Sequence, residues 1–205
     1  MQPDVTICAC LWEPNEQSFP FSRMYDEGWV DRLYRGFSRH SSYDLDFVCF
    51  TDKERTFAEP IRQERLEGPL GYGALIEPFK LNEPSIICGL DTIVTGDVDQ
   101  LIEYCLTAGK IAAPRDPFFP KLVCNGVVLV PGGNGWIYEA HEGENDMDYI
   151  RGLDVEVIDD IFPGQVVSYK GHVKAYGLDD ARIVYFHGEE KPHQLDHDWI
   201  DREWR

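Results

Sequence analysis

SIICGLDTIVTGDVDQL, residues 85–101, runs from an apolar segment through one carboxylate, Asp91, into the β-branched run TIVT and on to Gly96-Asp97. The first segment has the unbroken apolar character of a strand buried on both faces. Gly96-Asp97 supplies a helix N-cap, and Leu101, Ile102, Cys105 and Leu106 then recur at the spacing of an amphipathic helix. The carboxylates of Asp97-Val98-Asp99 read as helix capping. Asp91 is different, because it follows the end of a buried strand.

The same grammar extends toward the amino terminus. DVTICACL (4–11) reads as a buried first strand, followed by a loop with Pro14, Asn15 and Pro20. From about Asp26, Trp29, Val30, Leu33, Tyr34 and Phe37 recur with helical period, while Arg32, Arg35 and Arg39 read as the solvated face. LDFVCF (45–50) is a second buried strand ending in Thr51-Asp52. Strand, helix and strand at this spacing imply parallel neighbours joined by a crossover. Residues 66–84 are rich in glycine and proline and read as a loop. Toward the carboxyl terminus, KIAAP (110–114), NGVVLVPGG (125–133), VEVID (155–159), QVVSY (165–169) and RIVYFH (182–187) are strand-like, and residues 134–152 mix helix with loop. No internal repeat or low-complexity linker divides the chain. The expectation is one α/β domain over 1–205 with a mostly parallel central sheet, its cleanly β-α-β part at 1–107 and a more mixed part at 108–205.

At 205 residues and 43% hydrophobic content the chain can bury a proper core. A net charge of −18 opposes nucleic acid and anionic membrane surfaces. No apolar run approaches the ~20 residues that a membrane-spanning helix needs, and MQPDVTICACLW lacks the basic start of a signal peptide. Cys8, Cys10, Cys49, Cys88, Cys105 and Cys124 lie mainly in apolar, strand-like runs and form no C-x-x-C pair. They read as reduced, buried thiols of a cytoplasmic protein.

Ligands of open α/β sheets bind at the carboxyl ends of the strands. The polar groups there are Thr51-Asp52, Asp91, Asn125 beside a later strand, and His187. With these residues in place, SIICGLDTIVTGDVDQL resembles the metal-binding region of the family 8-like retaining glycosyltransferases, compact bacterial type. In that family an apolar strand ends in Asp-x-Asp. WVDRLYRGFSRH with FVCFTD resembles the family's early helix and second strand, NGVVLV its Asn-Ser-Gly-Val strand, and NDMDYI its Asp-Gln segment. DIFPGQVVSYKGHV and ARIVYFHGEEKPHQL resemble its carboxyl-terminal part. The resemblance runs along nearly the whole chain in the family's order.

It implies a GT-A-like nucleotide-diphospho-sugar transferase fold. Residues 1–107 would bind the nucleotide, and 108–205 would bind the acceptor and carry the closing motif. The implied activity is transfer of a sugar from a nucleoside diphosphate, UDP foremost, to an acceptor, with retention. The implied cofactor is Mn²⁺ or Mg²⁺, a Lewis acid for the departing diphosphate. Asp91 and His187 are the implied ligands. Gly89 replaces the first aspartate of Asp-x-Asp, and Tyr185 replaces the histidine of His-x-x-Gly-x-x-Lys-Pro. Asp91 also stands as a candidate for orienting the donor. Two readings stand for His187, as a substitute ligand or as a direct partner of phosphate. Gly188 and Lys191 complete the motif, with Lys191 as the phosphate's point charge. Asn125 and Asp146 match positions that handle sugar hydroxyls, and Met147 replaces the glutamine after the latter. Asp52 and the backbone at Ala9 and Cys10 fall where the base would lie. Lys80 and Arg115 are further phosphate candidates or plain solvated charges. Trp199 and Trp204 either pack under the tail or line an acceptor groove. The rival readings are a non-catalytic sugar-nucleotide or glycan-binding module and a nucleotidyltransferase. CACLWEPNEQ lacks the Gly-rich basic loop that a nucleotidyltransferase would carry there.

Overall fold

In the computed structural model, which describes residues 4–205, β1 (Val5–Leu11) is buried along its whole length. Residues 1–3, part of the segment read as lacking a leader, lie outside the described residues. Alternate side chains of β1 go to opposite faces. Val5, Ile7, Ala9 and Leu11 enter one apolar cluster, and Cys8 and Cys10 enter another. A strand covered on both faces has to be apolar at every position, which is why this run shows no polar alternation.

The short helix α1 (Phe19–Ser22) precedes α2 (Glu27–Arg39), which packs on the first face and returns the chain to β2 (Leu45–Thr51). β2 lies parallel to β1 with Val5 opposite Leu45 and Leu11 opposite Thr51. β3 (Arg62–Arg65) adds to the far side of β2. The chain then crosses over, and β4 (Ser85–Cys88) pairs with the other side of β1. β5 (Thr92–Val94) and helix α3 (Asp99–Thr107) follow. β6 (Ala112–Ala113), β7 (Val127–Val130) and β8 (Glu156–Val157) complete a sheet of order β3-β2-β1-β4-β7-β6-β8. β7 runs against its neighbours β4 and β6, and the remaining strands share one direction. Helices α4 (Trp136–Glu139) and α5 (Asp146–Arg151) lie between β7 and β8, and α6 (Ile158–Ile161) follows β8. β9 (Val166–Ser168), helix α7 (Lys174–Tyr176) and β10 (Ile183–Tyr185) come next, and β5, β10 and β9 form a second, three-stranded sheet. Helix α8 (Asp198–Glu203) closes the chain. This is the mixed α/β architecture with a mostly parallel central sheet that the sequence predicts.

Several local expectations change. The strand RQER is polar because it is an edge, hydrogen-bonded to β2. The glycine- and proline-rich stretch contains a 3₁₀ helix, Ala74–Leu81, held by the burial of Ile76 and Phe79. α3 begins at Asp99. Asp97 accepts the Asp99 N–H at 2.8 Å, while the Asp99 carboxylate accepts from Ser41 Oγ and Ser42 N at 3.1 and 2.9 Å. One aspartate thus shapes the helix entry, and the other ties down the loop before β2.

The arginine face of α2 is also more engaged than expected. Arg35 pairs with Glu59 at 2.6 Å, Arg39 donates to the Glu203 carbonyl, and the Arg32 guanidinium lies over the Trp204 ring. Trp204 packs edge-on to Trp29, and Trp199 stacks near Phe186, so both tryptophans pack within the fold. All six cysteines are unbonded and buried. Burial pushes the Cys49 and Cys105 thiols up to about 12, which keeps them protonated and unreactive. Among the described residues no helix is long and apolar enough to cross a membrane.

Candidate functional site

The strand order turns at β1. From there the chain builds outward through β2 and β3, then restarts on the opposite side with β4. Loops leaving two such strands diverge and open a crevice at their carboxyl ends. A cavity of about 470 Å³ occupies this place, lined by Cys10, Leu11 and Trp12 at the end of β1 and by Gly89, Leu90 and Asp91 after β4. Across from these stand Asn125, Asp146, His187, Gly188 and Lys191. Six residues singled out from the sequence therefore share one space, although they come from segments far apart in the chain.

At the base of the cavity the Lys191 ammonium forms a buried ion pair with Asp91 Oδ2. Tyr25, preceding α2, donates its hydroxyl to the same oxygen at 2.8 Å. Burial, with Asp91 next, pushes the Tyr25 phenol well above its ordinary range, so it stays a donor. The Lys191 backbone is fixed locally. Its N–H donates to Gln194 Oε1 and its carbonyl accepts from the Gln194 N–H, both at 2.9 Å, around a turn opened by Pro192. Gly188 has φ +65°, a conformation that glycine takes without cost.

Asp146 begins α5, whose N-cap residue Asn145 accepts from the Met147 and Asp148 N–H groups. The Asp146 carboxylate accepts the Met147 N–H at 2.7 Å, and the nearby Asn125 side chain favours its charged form. Burial nevertheless raises its pKa to about 6. His187 contacts Ser168 Oγ through Nε2 at 2.8 Å. Burial, then the nearby Lys170 and Lys191 charges, lower its pKa, which favours the neutral ring. Tyr185 hydrogen-bonds Cys124 at 3.3 Å.

Other sequence candidates lie elsewhere. Asp52 is absent from the lining: it accepts the Glu13 N–H at 3.1 Å and pairs with Arg55 at 3.0 Å. Lys80 donates to the Arg65 carbonyl, and Arg115 pairs with Asp160, both away from the cavity. Trp199 and Trp204 are absent from the lining too. The structure adds residues that the sequence did not single out. One is Tyr25. Another is Asp116, which accepts from the Phe118 and Phe119 N–H groups and pairs with Arg151 at 2.6 Å. Phe21 stacked on Tyr72 at 4.4 Å, with Trp12 and Phe118, supplies aromatic wall.

One wall leaves no slack. A Cβ on Gly126 would lie 2.6 Å from the Tyr185 ring. Gly126→Ala should therefore cost about 1–3 kcal/mol through forced movement of that ring. A urea melt checks this, and a change under about 0.5 kcal/mol would show that the wall yields freely.

No family model matches the sequence, and neither does any curated protein. Solved structures do match. An active-site mutant of LgtC aligns over 96% of this chain and 93% of its own, at TM-score 0.62 and 12% identity. LgtC is described as a galactosyltransferase and has been crystallised in complex with donor and acceptor sugar analogs. The glycosyltransferase GlyE of Streptococcus pneumoniae TIGR4 aligns over 91% of this chain at TM-score 0.58 and 15% identity. The bifunctional glycosyltransferase WbbM aligns over 94% at 0.56 and 11%. This chain spans 55% of the GlyE chain and 47% of the WbbM chain. At these identities the likeness concerns the fold, and the fold of this chain is that of the GT-A glycosyltransferases.

Proposed function

We propose that this chain is a glycosyltransferase that takes a sugar from a nucleoside diphosphate, a UDP-sugar first among candidates, and passes it to an acceptor with retention. The observation that carries the reading is the convergence of Asp91, Asn125, Asp146, His187, Gly188 and Lys191 on one cavity at the switch point of the sheet. The glycosyltransferase neighbours support it, and the LgtC complex with donor and acceptor analogs suggests a two-substrate crevice. In this reading residues 1–107 hold the nucleotide and 108–205 the acceptor.

The chemistry follows from charge. Breaking the bond between the anomeric carbon and the diphosphate oxygen leaves negative charge on the diphosphate. A fixed ammonium in a cavity shielded from water stabilises that charge far better than it would in bulk solvent. Lys191 is such a group, already buried and oriented. Asn125 both donates and accepts, and an ionised Asp146 accepts, which suits sugar hydroxyls. The aromatic walls offer flat apolar faces to a base or a sugar ring.

A thermal-shift screen over nucleotide sugars tests the proposal. A true donor at a hundredfold over its Kd adds about 2.7 kcal/mol of apparent stability. For a chain of this length that raises the midpoint by roughly 5–10 °C. Donor hydrolysis or transfer should accompany the shift. Binding without turnover would favour a non-catalytic module, and an unresponsive midpoint across the panel would remove the reading.

A further inference from the structure

A resident Mn²⁺ or Mg²⁺ asks for several hard donors converging on one point. The residues here do not provide them. Among the described residues no group of three or more His, Cys, Asp or Glu side chains is placed to hold a metal ion. Asp91 Oδ2 is engaged by the Lys191 ammonium and the Tyr25 hydroxyl. Asp91 Oδ1 leans over Gly89, where a Cβ would lie only 2.8 Å away. Absence of a side chain at 89 and the present pose of Asp91 are thus one structural fact: a carboxylate at 89 would force Asp91 to move. Tyr185 is turned to Cys124, and His187 Nε2 is taken up by Ser168. The donor set does not fit a divalent cation.

A second cation stands beside this site. Lys170 lies in the turn Tyr169–Val173 that follows β9, and its Nζ is 3.4 Å from where a Cβ on Gly188 would be. Lys174 pairs with Glu190 at 2.6 Å, and Lys191 pairs with Asp91, but Lys170 has no such partner among the described residues. Gly188 is exposed and carries no side chain, so nothing at 188 stands between its backbone and the Lys170 ammonium. In a chain of net charge −18, an unpaired lysine near Gly188 places positive charge where the rest of the surface repels anions.

The geometry points to a diphosphate seat built from two ammonium groups, Lys191 and Lys170, at the His187–Gly188 turn, in place of a divalent cation. This rests on the glycosyltransferase reading and deepens it. Lys191 is the buried, fixed partner. Lys170, half-buried and unpaired, is free to close onto a phosphate oxygen and is a binding residue that the motif alone does not mark.

Calorimetry with UDP and with inorganic pyrophosphate, in EDTA and in excess Mn²⁺, tests the seat. UDP should bind in EDTA with an affinity within about twofold of that in Mn²⁺. Lys170→Met should weaken UDP about tenfold or more in EDTA, with the unliganded melting midpoint unchanged and Lys170→Arg restoring most of the loss. Binding of UDP only with Mn²⁺, or stoichiometric Mn²⁺ binding in a spin-resonance titration, would overturn the two-lysine seat and leave the glycosyltransferase reading standing. So would an unaltered UDP affinity in Lys170→Met. Failure of UDP, pyrophosphate and every nucleotide sugar to bind under both conditions would remove the glycosyltransferase reading itself, and the seat with it.

Discussion

Lys191→Met should lower donor kcat/KM by about a hundredfold or more and destabilise the fold by roughly 3–5 kcal/mol, and a second substitution separates the two effects. The stability loss comes from Asp91. Asp91 is 7% exposed, and without the ammonium its carboxylate keeps only the Tyr25 hydroxyl on Oδ2. Stranding a buried charge in this way costs far more than the ion pair contributes over a neutral replacement. Lys191→Met/Asp91→Asn removes the stranded charge as well, so most of the lost stability should return. The hydrogen bonds that shape the turn are made by the Lys191 backbone and Gln194, and they survive both substitutions. Catalysis should stay low in the double variant, because a neutral pair offers nothing to a departing diphosphate. Urea melts and single-turnover donor assays on the three proteins check this. Recovery of activity together with stability would mean that Lys191 serves only to neutralise Asp91, and its role at the phosphate would fall.

The contrast between Asp91 and Asp52 shows what the sequence could convey. Both carboxylates follow apolar strands, and both read as strand-end ligands. Asp91 leaves β4 at the switch point and enters the cavity. Asp52 leaves β2, one strand removed, and is drawn to Arg55, whose side chain is nearly buried. Periodicity identifies a strand and its end, but it does not give the strand's position in the sheet, and that position decides which end faces the crevice. The fold was legible for the same reason in reverse. β1, α2, β2 and β4 announce themselves through runs and periods of buried side chains, whereas the polar edge β3 and the proline-containing 3₁₀ helix carry no such signal.

The missed residues share a cause. Tyr25 and Asp116 line the cavity and Lys170 stands near Gly188 at its edge, and each matters through a partner distant in the chain. Tyr25 reaches Asp91, Asp116 reaches Arg151, and Lys170 approaches Gly188. Local chemistry says nothing about such meetings. Asp146 and Lys191, by contrast, came from a resemblance in order and spacing, and Asn125 from its place beside a strand as well, and the structure brings all three to the cavity. Lys80 and Arg115 are paired with Glu67 and Asp160 away from the cavity.

Asp146 gives the second large effect, and its sign differs from that of most carboxylates in the chain. Its folded pKa of about 6 lies above the 3.8 of a free aspartate, because burial penalises the charged form more than the Met147 N–H and the Asn125 side chain favour it. Between about pH 4 and 6 the folded chain holds a proton that the unfolded chain has released. Stability from this group is therefore complete below about pH 4 and is lost as pH rises through about 6. The loss amounts to roughly 3 kcal/mol at about 1.4 kcal/mol for each pKa unit. Asp52 and Glu203 have lowered pKa values, so their contributions run the other way and weaken in acid. Subtracting the stability profile of Asp146→Asn from that of the parent cancels those groups. The difference should favour the variant increasingly from about pH 4 to 6 and then level off, with the amide oxygen still able to accept the Met147 N–H. A flat difference would mean that Asp146 is solvated as an ordinary carboxylate. A sugar hydroxyl donated to the ionised form would lower the raised pKa, so donor binding at about pH 5 to 6 should release protons, measurable as a buffer-dependent heat, and the release should fade above about pH 7. Asp146→Asn should abolish that release and weaken the donor together, which ties the buried carboxylate to the work proposed for it.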